Sequence, residues 1–307
     1  MNFLLLKKGL RWIISRIFFV YAILFFVSLT FVDYKKISGR ITALEMNHIL
    51  PSNLSELFAI EKGRALSQEA LEGYIFYYQT VAQNLPEEAT PYATLGFLFY
   101  HQGNSKKALE MSEIGFKKNP TFPTFSFNLG YLYHKNKEYA KSNTVLLKTI
   151  DVNLSAVGAY LKYSFPYQQI LASSLKDSKE IIPILLNHVA QAHILIAENL
   201  LLLKDYRNLS AFAQNAIKNN ILYKDIFYYY AGLSAYFLKD FNSSISSFEI
   251  LSEKILDPQA LYYHGLAYQE LGEKEKGQAL LEKSFFLKNA GIKPIEEFLQ
   301  GIHPHVL

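Results

Sequence analysis

The stretch Leu95-Gly96-Phe97-Leu98-Phe99 decides the fold of this 307-residue chain, because its pattern returns 34 residues later as Leu129-Gly130-Tyr131-Leu132-Tyr133. In both stretches a Leu-Gly pair is followed, three positions after the glycine, by a large aromatic residue. A repeat of this length is typical of helix pairs that stack in a row, each covering the apolar face of its neighbour. The period therefore predicts an all-α array and favours an interaction protein over an enzyme.

The pattern continues beyond these two stretches. Gly232 lies 102 residues after Gly130, which is three periods of 34, and Gly265 follows 33 residues later. Small residues, Ala108 and Ser142, lie in the second half of the first two units. A glycine that faces a small side chain lets two helices approach closely, so we expect a crowded helix crossing in each unit.

These residues resemble the tetratricopeptide repeat (TPR) family, in which each repeat is a pair of antiparallel helices and a proline, here Pro120, often ends the unit. The resemblance implies an α-solenoid of TPR-like helix pairs over residues 55–291, followed by a C-terminal cap over 292–307 that covers the last open apolar edge. Clear repeats are expected at 89–122, 123–156, 225–257 and 258–291, and degenerate repeats at 55–88, 157–190 and 191–224. The alternative is a helical bundle without repeats, in which the glycine spacing is a coincidence.

A single apolar segment precedes the expected array. Residues 17–32 carry no charge, and a helix over 12–32 would be about 31 Å long, enough to cross a hydrocarbon core of about 30 Å. We predict a basic N-terminal tail over 1–11, one transmembrane helix over 12–32 and a juxtamembrane spacer over 33–54. A cleaved signal peptide and a buried helix of a soluble fold are the alternatives.

The positive charge is concentrated around that apolar segment. Seven basic residues and one Asp give residues 1–40 a net charge of +6, whereas the whole chain carries +4, so the remaining residues sum to −2. A nucleic-acid-binding protein would show a basic excess on its folded part, so no nucleic-acid partner is expected. The distribution favours a single-pass protein of a bacterial inner membrane, with its N-terminus in the cytoplasm and its solenoid in the periplasm.

In TPR proteins the first helix of each pair usually lines the concave surface, and the resemblance implies the same arrangement here. The expected concave face is rich in aromatic residues: Phe97, Tyr100, Phe127, Tyr131, Tyr229, Tyr236 and Tyr262. Such a groove can accept an extended peptide or an amphipathic helix of a protein partner. For each of these residues, packing between neighbouring helices is the alternative interpretation.

One groove chemistry of the family does not fit. TPR adaptors that grip a C-terminal carboxylate need Lys and Asn where this chain has Ala93 and Phe97. Asn128 matches another position of that clamp, and Lys162 approximates one more. The sequence therefore argues against a carboxylate clamp.

The sequence also lacks the motifs of an enzyme. It contains no cysteine, no phosphate-binding glycine loop and no His-Glu-x-x-His motif. His303-Pro304-His305 is a weak metal-binding pair, for which a solvated tail is the simpler interpretation. We predict no catalytic residue, no metal and no cofactor.

The pattern as a whole favours a membrane-tethered TPR scaffold that mediates protein–protein interactions in the assembly of an envelope complex. The alternative is an accessory or regulatory subunit of a cell-envelope enzyme or of a polysaccharide or secretion system.

Overall fold

The structure, a computed structural model, describes residues 66–152, 157 and 181–305. All regular elements in these ranges are α-helices, so the prediction of an all-α fold is confirmed. The predicted tail, transmembrane helix and spacer over 1–54 lie outside the described residues, as do the first residues of 55–88 and most of 157–180. The transmembrane helix over 12–32 stays a prediction.

Twelve helices lie within the described residues. They are α1 (Gln68–Asn84), α2 (Thr90–His101), α3 (Ser105–Lys118), α4 (Pro123–Lys135), α5 (Tyr139–Ile150), α6 (Ile181–Leu202), α7 (Tyr206–Lys218), α8 (Lys224–Phe237), α9 (Phe241–Ser252), α10 (Pro258–Glu270), α11 (Lys274–Asn289) and α12 (Pro294–Gln300). Each of α2, α4, α8 and α10 packs against the helix that follows it. These contacts define the pairs α2–α3, α4–α5, α8–α9 and α10–α11.

The turns inside these four pairs and the turn between α6 and α7 have the same backbone geometry. One residue adopts a left-handed conformation: Gly103, Lys137, Lys204, Lys239 and Gly272 take this place in turn. The residue after it returns a hydrogen bond to the last turn of the first helix, as from Glu138 N to Tyr133 O at 2.9 Å. This geometry ends a helix tightly and starts the next one at once, so the repeat is visible in the backbone as well as in the sequence.

The helix crossings are as crowded as the glycines predicted. A Cβ atom on Gly96 would lie 3.1 Å from the carbonyl oxygen of Ala108, and one on Gly130 would lie 2.5 Å from the Leu146 side chain. Ser142 Oγ donates a hydrogen bond of 2.7 Å to the Gly130 carbonyl across the second crossing. The predicted match of glycine with small facing residues is confirmed at both crossings.

First and second helices differ in burial. Nearly every residue of α4 from Pro123 to Leu132 is buried, whereas α5 buries only Ser142, Val145, Leu146 and Thr149. The stripe on α5 follows the helical period, so α5 is amphipathic and its other face meets solvent. This stretch of α4 is covered by α5 and by the neighbouring helices α3 and α6, which explains its burial.

The middle of the chain departs from the expected repeats. Helix α6 runs from Ile181 to Leu202, so the expected boundary between 157–190 and 191–224 falls inside one helix. Pro183 lies in the first turn of α6, where its missing N–H costs nothing. Helix α6 also packs directly on α4 and α5. The expected unit boundary at 190/191 was therefore wrong, whereas a helix pair over 157–190 stays a prediction because most of those residues lie outside the described ranges.

Buried polar contacts tie α6 to both sides. Asn199 donates a hydrogen bond of 2.8 Å to Ser142 Oγ, and its Oδ1 lies 2.7 Å from His134 Nδ1. The next residue upstream, Glu198, accepts a hydrogen bond of 2.9 Å from the Tyr230 hydroxyl. Adjacent residues of α6 thus hold α4–α5 on one side and α8 on the other.

The C-terminal segment follows a different course from the expected cap. Phe285 and Phe286 on α11 are 68% and 71% exposed, so the last edge stays open. The main chain of α12 instead contacts the start of α10, where Ile295 N–H donates to Asp257 Oδ2 at 3.4 Å. Segment 292–307 was therefore wrongly expected to cover the final helix.

Among the described residues, one helical segment, Pro183–Leu202, has the length and apolarity that a membrane span needs. Half of that segment is buried inside the fold. Its contacts with α4, α5 and α8 make it a core helix of the array.

Candidate functional site

We call the surface formed by the first helices α2, α4, α6, α8 and α10 the inner surface. Tyr100 of α2 and Tyr131 of α4 meet on it, with their hydroxyl oxygens 2.9 Å apart and their rings edge to face at 5.6 Å. Burial and this hydrogen bond raise the pKa of the Tyr131 hydroxyl. The Tyr131 hydroxyl therefore stays protonated at neutral pH, and its hydrogen bond to Tyr100 joins α2 to α4.

The seven expected concave residues divide into two groups by exposure. Phe97, Phe127, Tyr131 and Tyr229 are almost completely buried, at 0–4% exposure. Tyr100 and Tyr236 are half-buried, and Tyr262 is 46% exposed. Only the second group presents a ring to a partner without a rearrangement. That these residues bind a partner stays a prediction.

The exposed aromatic residues gather at the second half of the array. Tyr236 packs edge to face on Tyr263 at 5.1 Å, and Tyr262 packs on the same residue at 5.4 Å. Phe237 contacts Tyr263 at 5.4 Å. The structure thus joins Tyr236 and Tyr262 through Tyr263, which the sequence reasoning did not select.

Asn128 occupies the centre of the first half and holds a main chain. Its Nδ2 donates a hydrogen bond of 2.7 Å to the carbonyl of His305, and its Oδ1 accepts one of 2.8 Å from the amide N–H of the same residue. A primary amide that satisfies both groups of one residue recognises the polypeptide backbone and not a particular side chain. The inner surface therefore contains a built site for an extended chain, and the protein's own C-terminal segment occupies it.

The His305 side chain is enclosed by rings. It stacks on His188 with 3.9 Å between the ring centroids, and it contacts the tilted ring of Phe127 at 5.1 Å. Its Nε2 lies 2.9 Å from Gln191 Oε1 on α6. His188 Nδ1 in turn lies 3.2 Å from Thr124 Oγ1 on α4. The pocket for His305 is thus formed by two adjacent first helices.

Burial keeps these imidazoles neutral. It lowers the pKa of His188 to about 3, with the nearby His303 adding to the effect. Burial, followed by the proximity of His188 and His303, lowers the pKa of His305 well below its usual value. At neutral pH the stack is therefore uncharged, and its contacts are those of aromatic rings and hydrogen bonds.

The composition of the C-terminal segment does not indicate this site. His303-Pro304-His305 was interpreted as a solvated tail, but Ile302, Pro304 and His305 are buried, so that interpretation was wrong. Asn128 was noted only as a partial match to the carboxylate clamp. Ala93 packs against Gly115, and Phe97 is buried. The Lys and the Asn that the carboxylate clamp needs at these two positions therefore have no room here.

The described residues contain no group of three or more His, Cys, Asp or Glu side chains arranged to hold a metal ion. The histidines of the inner surface instead stack face to face, as His188 and His305 do. Stacked rings direct their nitrogens sideways to different neighbours, which suits ring packing better than shared ligation.

Comparison with known proteins agrees with this fold. The family model of the tetratricopeptide repeat matches residues 259–284, which lie in the pair α10–α11. The same turn and the same close crossing recur in α2–α3, α4–α5 and α8–α9. The described part of this chain is therefore an α-solenoid of TPR-like helix pairs, and residues 259–284 match the family model itself. No curated protein sequence matches the chain.

Solved structures of similar architecture include YrrB, described as a TPR protein with an unusual peptide-binding site. It is 14% identical, with a TM-score of 0.49, and the match covers 69% of this chain and 92% of that one. MamA is 17% identical, with a TM-score of 0.48 and coverage of 66% and 92%. PilF of Pseudomonas aeruginosa is 10% identical, with a TM-score of 0.49 and coverage of 87% and 96%. Resemblances of this degree transfer no function to this chain.

Proposed function

We propose that this chain is a membrane-tethered scaffold that captures segments of protein partners on its inner surface while an envelope complex is assembled. The observation that carries the proposal is the contact of Asn128 with a main chain on that surface. A surface that satisfies both polar groups of an extended backbone, beside aromatic pockets, has the chemistry of peptide recognition. The proposal makes the protein an interaction module and assigns it no reaction.

The partly exposed aromatic cluster around Tyr263 extends this surface. Tyrosine rings bring a large apolar area and a hydroxyl at a small cost in conformational entropy, which suits contacts with a partner. Tyr236 and Tyr262 belong to α8 and α10, so a partner that reaches them from Asn128 would cross several repeats. An extended segment or an amphipathic helix fits such a path.

Site-specific photo-crosslinking in cells tests the proposal. A photoreactive phenylalanine analogue is placed at Tyr236 or Tyr262, and at the exposed Glu110 of α3 as a control on a second helix. We expect a discrete protein adduct from the first two positions and none from Glu110. Adducts that form equally at Glu110, or at no position in the full chain, would contradict inner-surface capture.

The membrane tether is a separate part of the proposal and rests on the uncharged segment 17–32 with its basic flanks. We place the array in the periplasm of a bacterial cell, joined to the inner membrane by one helix over 12–32. Reporter fusions after Ile60 decide the orientation. A reporter that works only outside the cytoplasm should be active, and activity of only a cytoplasmic reporter would reverse the topology.

A further inference from the structure

The C-terminal segment lies across the inner surface from the last pair back to the second. Near its beginning, Ile295 N–H bonds to Asp257 at the start of α10, and Phe298 packs on Tyr223 before α8 at 5.0 Å. Near its end, His305 reaches Asn128 on α4 and Gln191 on α6. The segment thus follows the path that a bound partner segment would take.

Residues 302–305 have no regular secondary structure and pack their side chains and main chain into the inner surface. Ile302 is 2% exposed and His305 is 7% exposed, while Gly301 before them is exposed. The main chain at His305 is held by Asn128, and the side chain enters the pocket between Phe127 and His188. Backbone recognition combined with apolar pockets for alternate side chains is a general mode of peptide binding.

The segment is otherwise lightly attached. Within α12 the only buried residue is Ile295, and most of its other side chains are half-buried or exposed. No covalent link or described ion pair joins it to the helices that it crosses, because the bond of Lys293 to Glu296 is internal to the segment. Elements with few buried contacts open at lower free energy than the core. Detachment of Ile302–His305 breaks the hydrogen bonds to Asn128 and Gln191 but none that joins the two helices of a pair.

We propose that Ile302–His305 is an internal ligand, which occupies the inner surface at Phe127 and Asn128 in the free protein and leaves when a partner segment takes its place. The partner that fits is an extended polypeptide with an aliphatic residue two positions before a proline, and a planar ring directly after that proline. The statement about the partner rests on the proposed function, whereas the occupation of the inner surface by Ile302–His305 does not.

The competition has a simple quantitative form. A tethered ligand acts at an effective concentration on the order of millimolar, so a free peptide of the same sequence is held off until the tail is removed. A protein with a weakened tail should therefore bind that peptide at least about tenfold more tightly than the intact chain. The effect needs no natural partner, which separates it from the crosslinking experiment.

The probe is a fluorescein-labelled synthetic peptide with the sequence of residues 300–307, measured by anisotropy against the full chain purified in detergent. Ile302→Asp weakens the tail without altering the groove, and Ile292→Asp, at an exposed isoleucine upstream of α12, is the matched control. A chain that ends after Gly301 is the second variant, and circular dichroism verifies that each variant is folded. Peptide that carries the same Ile302→Asp change should not bind.

We expect tight binding to Ile302→Asp and to the shortened chain, and weak binding to the wild type and to Ile292→Asp. Equal binding to all four proteins would place the peptide elsewhere and overturn the proposal. Absence of binding to the opened proteins would show that the tail is a fixed structural part, which also overturns it. Neither result would contradict the proposed capture of partners at Tyr236 and Tyr262.

Native-state hydrogen exchange of the full chain gives an independent measurement. The His305 amide N–H, protected by Asn128, should exchange through a local opening that is insensitive to low denaturant. An amide in the middle of α4, such as that of Leu129, should exchange only through global unfolding. Identical exchange behaviour of the two amides would contradict a displaceable tail.

Discussion

Asn128 and His305 are 177 residues apart in the chain, yet the side-chain amide of the first pairs with the main chain of the second through two hydrogen bonds of 2.7 and 2.8 Å. The donor and the acceptor of the amide are both used, so its orientation is fixed. An isosteric change that keeps the acceptor and removes the donor should therefore break one of the two hydrogen bonds and leave the other.

Replacement of Asn128 by Asp should release the tail. The carboxylate still accepts from the His305 N–H, but it cannot donate to the His305 carbonyl and repels that oxygen instead. Losing a buried hydrogen bond and leaving its acceptor unpaired costs about 1–3 kcal/mol. Hydrogen exchange at the His305 amide should accelerate accordingly. Asn136→Asp, at an exposed position after the same helix, is the control and should change nothing; equal effects of both variants would contradict the pairing.

Acidification should destabilise the fold through His188. Its pKa is about 3 in the folded protein, against 6.5 when exposed, because burial disfavours the charged ring. The unfolded chain binds the proton first, so stability is complete above the unfolded pKa and falls as the pH decreases from about 6.5 towards about 3, by up to about 1.4 kcal/mol per pH unit.

Urea denaturation at about pH 7 and about pH 5 measures this loss of stability in the wild type and in His188→Asn. The difference between the two losses is the part that His188 contributes. The variant lacks the titrating ring, so it should lose less stability on acidification than the wild type. The buried Glu198 has a raised pKa and changes stability in the opposite direction, which is why the comparison must be made between variants. An identical decrease in both proteins would contradict the assignment to His188.

Two glycines with different surroundings should respond in opposite directions to alanine. Gly130 lies at the crowded crossing of α4 and α5, and Gly73 lies at an open position of α1. Gly130→Ala should cost about 1–3 kcal/mol, because its Cβ would overlap the Leu146 side chain and overpacking strains a core. Gly73→Ala in α1 should stabilise by about 0.5–1 kcal/mol, since nothing lies within 4 Å of the new atom and alanine favours the helix. Thermal and urea denaturation compare the two, and a stabilising Gly130→Ala would refute the crossing.

The left-handed turn at Lys137 predicts that a substitution of this lysine by glycine increases the stability of the protein. Lys137 has a φ of 63°, a conformation that costs an ordinary residue about 1 kcal/mol and glycine almost nothing. Lys137→Gly should therefore stabilise the protein by about 0.5–1 kcal/mol. Lys135→Gly, two residues earlier and still inside α4, should destabilise it by a similar amount. If urea denaturation showed that both variants change the free energy of unfolding in the same direction, the turn geometry would not be the cause of the effect at Lys137.

The parts of the fold that the sequence predicted depend on contacts between near neighbours in the chain. Gly130 and Ser142 are twelve positions apart, and the units that contain Gly96, Gly232 and Gly265 repeat such a pair, so these helix crossings leave a periodic signal. In α1, Tyr74, Tyr78 and Val81 are all buried, and their spacing of four and three residues places them on one helical face.

The parts that the sequence did not predict lack a periodic signal. The boundary expected at 190/191 came from the 34-residue period alone, whereas Pro183 lies in the first turn of a helix that runs through that boundary. The pairing of Asn128 with His305 occurs once and joins residues from opposite ends of the array. A short segment with two histidines and a proline has the composition of a solvated tail, and only the cavity between Phe127 and His188 explains its burial.

The return of the tail to α4 has a consequence for how the array unfolds. In a linear row of repeats each unit touches only its neighbours, so the ends can melt while the middle stays folded. Here the last segment is fastened to the second pair, and α6 joins both halves through Asn199 and Glu198. The row is thereby closed into a ring of interactions, and loss of one end removes a contact from the other. Unfolding should be shared across the repeats, as in a compact domain, and release of the tail should restore the stepwise melting of an open solenoid.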